Sequence, residues 1–119
     1  MQRDDAYLLD MLIYARKARD YCENSGFDDF LQNDLLQSAT LHVLQIIGEA
    51  ANKVSKEYRV SHTEIPWDQI INLRHRLVHD YPRIEFPKVW DIVQNYLPPL
   101  ITVLEKLVPP EWVYFHPKV

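Results

Sequence analysis

From residue 36 to residue 54 the chain reads Leu36-Gln37-Ser38-Ala39-Thr40-Leu41-His42-Val43-Leu44-Gln45-Ile46-Ile47-Gly48-Glu49-Ala50-Ala51-Asn52-Lys53-Val54. Leu36, Ala39, Val43, Ile47, Ala50 and Val54 recur at steps of three and four, the spacing of one buried helix face. Leu41, Leu44, Gly48 and Ala51 form a second apolar face beside it. Asn33 or Asp34 is placed to cap this helix, which is expected to run to about Lys56. A helix apolar on two faces is central: one face packs on its own domain, and the other is open to a second subunit. Gly48 costs about 1 kcal/mol against Ala inside a helix, so a neighbouring backbone is expected to approach closely there. The competing reading is that the adjacent Glu49 serves a functional site.

On the N-terminal side, Asp4 or Asp5 can cap a first helix running to about Tyr21. Its stripe is Leu8, Leu12 and Ala15, widened by Leu9, Met11, Ile13 and Ala18. Gly26 ends this segment, and Phe27, Phe30 and Leu31 are expected to form a short connection held by burial of both rings. On the C-terminal side, residues 57–65 read as a polar loop. Pro66 then opens a third helix carrying Trp67, Ile70, Ile71, Leu73, Leu77 and Val78. Pro82 disfavours helical geometry at Tyr81, so this helix must finish at about His79 or Asp80. A fourth helix starts at Phe86-Pro87 and carries Val89, Val93, Tyr96, Leu100, Val103 and Leu107, with a kink at Pro98-Pro99. The expectation is an all-α, up-and-down bundle of four to five helices over residues 1–108. Residues 109–119, rich in aromatic side chains, either pack back on the bundle or bind a partner.

The chain has 119 residues, enough for one domain, and its two glycines suit helices better than a turn-rich β fold. Its formal charge is −4, so contact with a polyanion has to be local rather than spread over the surface. A single cysteine, Cys22, rules out an internal disulfide and makes a cytoplasmic setting the expectation. The charged start Met1-Gln2-Arg3-Asp4-Asp5 lacks the apolar core of a signal peptide. No apolar run reaches the ~18 residues of a membrane span.

Against this acidic background, Leu73-Arg74-His75-Arg76-Leu77-Val78-His79-Asp80-Tyr81-Pro82-Arg83 gathers three arginines, two histidines and a tyrosine where a helix should end. RNA can be cut without a metal when its own 2′-OH attacks the adjacent phosphate. That reaction needs a group that takes a proton near neutral pH, which suits His, and a cation for the charge building on phosphorus, which suits Arg. Arg74 and His79 are the candidate pair. Five residues along a regular helix separate two side chains by roughly 140°, so the pair needs either a His79 that turns off the helical path or a two-fold dimer in which each subunit completes the other's site. Two other readings stay open. Arg74, Arg76 and His79 can simply decorate a solvated helix end, where cations favour the dipole. His75 and His79, four apart, can bind zinc, although no further ligands complete such a site in the sequence.

Arg74, four residues, His79, one residue and Tyr81 together form a recognisable motif, and the chain resembles the HepT-like toxins of the HEPN superfamily. Leu44-Gln45-Ile46-Ile47-Gly48-Glu49-Ala50-Ala51, Ile65-Pro66-Trp67 and Val89-Trp90 carry the likeness beyond the motif, over about residues 4–107. That family comprises small all-helical ribonucleases paired with a minimal nucleotidyltransferase antitoxin of the MntA type in type VII toxin–antitoxin systems. The resemblance implies that Arg74 and His79 are catalytic and that Tyr81 is the hydroxyl to which the antitoxin attaches AMP. It implies a homodimer acting on RNA, with no metal and no other cofactor. His75 occupies a position that is often Asn in the family, and with Arg76 it is a supporting candidate. A competing expectation of a different class is a non-catalytic subunit that binds substrate for a nucleotidyltransferase.

Overall fold

The computed structural model describes residues 3–112, and no strand occurs among them. Helix α1 (Arg3–Cys22), the short α2 (Phe27–Gln32), α3 (Asp34–Lys53), the short α4 (Lys56–Ser61), α5 (Trp67–His79), α6 (Phe86–Asp91) and α7 (Leu97–Leu107) follow in order. The expected all-α bundle is the observed architecture. Among the described residues no helix is long and apolar enough to cross a membrane.

Helix α3 is the centre of the molecule, packed between α1 and α5, while α1 also rests on α7. Its two apolar faces are therefore both covered within one chain: Val43, Ile47 and Ala50 are buried, and so are Leu41, Leu44, Gly48 and Ala51. The second face is closed by α5 rather than left open for another subunit. Asn33 caps the helix as expected, its Oδ1 accepting the Leu36 N–H at 2.9 Å.

Asp4 does something other than the expected capping of its own helix. Its carboxylate accepts the Ser55 backbone N–H at 2.8 Å and the Ser55 hydroxyl at 2.7 Å, tying the start of α1 to the end of α3. Ser55 in turn caps α4, accepting the Tyr58 N–H at 3.2 Å, so the stretch expected to be a polar loop opens with a helical turn. The Tyr58 and His62 rings stack at 3.8 Å, and the Trp67 indole donates to the His62 carbonyl at 2.9 Å, which anchors the start of α5. In the α2 connection only Phe30 is buried, against Phe86 and Trp90; Phe27 is 42% exposed.

Pro98 and Pro99 lie in the first turn of α7 and give a wide π turn over Ile92–Tyr96. With no N–H at either proline, the ladder is rejoined when the Leu97 N–H reaches back five residues to the Ile92 carbonyl. The expected kink is thus a local change of helical pitch. A part-buried ion pair of 2.8 Å between Arg16 and Glu105 joins α1 to α7. At the C-terminal end Trp112 packs partly buried against the core; the remainder of the expected tail, residues 113–119, lies outside the described residues.

Candidate functional site

Helix α5 presents three different surfaces. Trp67 and Leu77 are buried toward the core, with Ile70 and Leu73 partly buried beside them. The face carrying Arg74 lies directly on α3. A Cβ built on Gly48 would meet the Arg74 Cβ at 2.2 Å and the Ile70 carbonyl at 3.2 Å. Only glycine lets the two helices come this close, and Arg74 is the residue seated on it. The expected close approach is real, and the neighbour is α5 of the same chain.

This seat decides where the Arg74 side chain goes. Its Nε is buried with no hydrogen-bond partner, while one terminal nitrogen stands 3.9 Å from the Glu49 carboxylate. Glu49 accepts a hydrogen bond from the Gln45 amide at 3.3 Å. A chain of polar groups on α3 thus holds the inner side of the guanidinium. Both partners keep about a third of their side-chain area in water, so the guanidinium is aimed without being sealed. The signal for Glu49 in the sequence was its place beside Gly48.

The solvent face carries the histidines. His75 and His79 are exposed, their rings 4.5 Å apart and tilted by 48°, as expected for side chains four apart on one helix face. Helix α5 remains regular through His79, and Asp80 is the residue that leaves it, at φ −130° and ψ 29°. His79 therefore does not swing off the helical path. Arg74 and His79 depart from the axis roughly 140° apart, and the helix end does not bring them onto one face.

Tyr81 opens a 3₁₀ turn, Tyr81–Arg83, and is 51% exposed. The turn is pinned by an Arg83–Asp80 ion pair at 2.7 Å, which draws Asp80 toward Arg83. Arg76 lines an open groove of ≈ 630 Å³ between α5 and the Ile92–Val103 region, to which Leu44 and Ile47 also contribute. Beyond it, the Lys88 ammonium hydrogen-bonded to Glu85 holds that carboxyl below the ordinary range, with Arg76 adding to the effect. Cys22 is excluded as a nucleophile: burial pushes its thiol upward, and its sulfur contacts only the Thr40 hydroxyl, at 3.6 Å, among the hydrogen bonds described. No group of three or more His, Cys, Asp or Glu side chains is arranged to hold a metal among the described residues.

A family model described as ribonuclease HepT-like matches residues 11–107, from the first half of α1 to the end of α7. The chain belongs to the ribonuclease HepT-like family. The match takes in α3, α5 and the turn after it, so the Gly48 seat, the histidine pair and Tyr81 all fall within the HepT-like region. A protein of Thermococcus cleftensis named as a probable ribonuclease HepT is 31% identical over 101 residues, 85% of this chain and 92% of its own length. A Methanocaldococcus jannaschii protein whose name describes a candidate RNase is 31% identical over 103 residues, 87% of this chain and 85% of its own. A similarly named protein of Caldanaerobacter subterraneus subsp. tengcongensis is 31% identical over 86 residues, 72% and 77% of the two chains. No solved structure matches this HepT-like chain.

Proposed function

We propose that this protein is a metal-independent endoribonuclease, the toxin of a toxin–antitoxin pair, acting in the cytoplasm and silenced by AMPylation of Tyr81. The observation that carries the reading is the exposed end of α5, where His79 stands two residues from a half-exposed Tyr81 in a chain of the HepT-like family. The names of its relatives support RNA as substrate.

In this reading His79 takes the proton from a ribose 2′-OH as that oxygen attacks the adjacent phosphorus, and Arg74 steadies the negative charge that builds on the phosphoryl oxygens. The products are a 2′,3′-cyclic phosphate and a 5′-hydroxyl. Because Arg74 and His79 diverge on one helix, the arginine that serves a given His79 comes from the α5 of a second copy. A homodimer contact at the exposed end of α5 would bring the two residues together.

Tyr81 is the switch. Its hydroxyl oxygen attacks the α-phosphorus of ATP held by an MntA-type nucleotidyltransferase, and pyrophosphate leaves. The added phosphate puts negative charge beside His79, where the RNA phosphate has to sit, and the nucleotide fills the cleft. The half-exposed turn suits access by a modifying enzyme.

The test is cleavage of RNA by purified protein with EDTA present. The expected result is cutting that leaves cyclic phosphate ends and disappears in His79→Ala. Cutting that survives the substitution, or that requires added metal, overturns the proposal. Co-expression with the antitoxin should add AMP-sized mass that Tyr81→Phe prevents.

A further inference from the structure

We propose that His75 is a second catalytic residue, the general acid that protonates the departing 5′-oxygen. This rests on the ribonuclease reading above and deepens it, because transesterification needs two proton transfers and that reading assigns only one of them.

Three observations meet at this side chain. His75 is exposed on the same face as His79, with ring centroids 4.5 Å apart. The rings are tilted by 48° rather than stacked, so their edges diverge. A single phosphodiester can lie across both, within about 2.6–3.2 Å of one nitrogen on each. Third, the residues that would claim His75 for another purpose are engaged elsewhere. Arg74 is turned to Glu49, Asp80 is paired with Arg83, and Arg76, about 100° round the helix from His75, lines the groove. Among the described residues no third ligand-type side chain joins the two imidazoles to make a metal site.

Imidazole is the side chain that both accepts and donates a proton near neutral pH, so two of them can divide the reaction. His79 removes the proton from O2′ as the O2′–P bond forms. The P–O5′ bond breaks with its electron pair going to O5′, and the proton held on His75 passes to that oxygen. One imidazole gains a proton and the other loses one, so no outside donor is consumed. Proton exchange with water then resets the pair.

The experiment uses two RNA oligonucleotides of one sequence, one with an ordinary linkage and one with sulfur in place of the bridging 5′-oxygen. A thiolate leaves without being protonated, so the second substrate does not need the acid. On the ordinary linkage His75→Ala should slow cleavage by about 10²-fold or more, and on the sulfur linkage it should run close to the wild-type rate. His79→Ala should be inactive on both. The proposal is overturned if His75→Ala is equally slow on both linkages, which would make His75 a positioning residue, or if it cuts the ordinary linkage at the wild-type rate. A wild-type protein that cuts neither oligonucleotide overturns the ribonuclease reading itself, and this proposal with it. Because His75 is exposed, the variant is expected to fold, and circular dichroism provides the check.

Discussion

Arg74 and His79 belong to one helix and to one motif, yet they live in opposite surroundings. Arg74 sits on a glycine, with its Nε buried and its far end held by a carboxylate of α3. His79 stands in water at the last helical residue, with another histidine beside it and the half-exposed Tyr81 two residues on. In the proposed reaction the cation has to be aimed before substrate arrives, because a guanidinium on a free stem loses rotamer entropy when it binds. The proton carrier of that proposed reaction has to exchange with water between turnovers, so it belongs at the rim. The difference teaches that the site is half scaffold and half surface, and each half is breakable by itself.

The largest effect is expected from His79→Ala: a fall in cleavage of about 10²–10⁴-fold, with thermal stability within about 0.5 kcal/mol of wild type because the side chain is exposed. Urea unfolding beside an RNA cleavage assay separates the two. A variant that lost both together would place His79 in the scaffold half.

Gly48→Ala should do the reverse. The new methyl would recover about 1 kcal/mol of helix propensity, but it would meet the Arg74 Cβ at 2.2 Å, an atom fixed to the α5 backbone. Overpacking of this kind costs about 1–3 kcal/mol. The clash wins, and the expected outcome is a lower unfolding midpoint with cleavage reduced through a displaced Arg74. An unchanged midpoint would mean that α5 is not held as closely to α3 as described.

Glu49→Gln should shift stability by less than about 1 kcal/mol, since the 3.9 Å pair is partly in water. Cleavage should still fall, by less than in His79→Ala, because Arg74 loses its guide. Full activity in this variant would remove Glu49 from the account. The smallest effect is expected from Tyr81→Phe, which should leave both folding and cleavage near wild type and abolish only the AMP-sized mass proposed to be gained on co-expression with an MntA-type nucleotidyltransferase. Mass spectrometry reads that outcome.

What the sequence made legible follows the range of the forces involved. Asn33 and the stop before Pro82 were readable because a cap and a proline act on their own neighbours. The burial of Val43, Ile47 and Ala50 was readable because periodicity reports a face. It does not report which element covers that face, so Gly48, open in principle to another subunit, turned out to lie under α5 of the same chain. Residues 57–65 show no periodicity, and their helical start depends on Ser55, which is itself held by Asp4, 51 residues away. Phe27 and Phe30 look alike in sequence and are separated only by where Trp90 and Phe86 fall. For the candidate site, the motif gave the residues proposed to act, and the spacing of Arg74 and His79 already raised the question of a second copy. The regular helix through His79 answers one half of it, since the chain does not bend to close the gap.

The measurement that tests this account most directly is a mixing experiment with two inactive variants, Arg74→Ala and His79→Ala, unfolded together and refolded as mixed dimers. If each site takes its arginine from one copy and its histidine from the other, half of the dimers will be mixed and each will keep one intact site. The predicted result is recovery of about a quarter of wild-type cleavage. No recovery from a mixture shown to contain mixed dimers would contradict the account and place both residues of each site on a single chain.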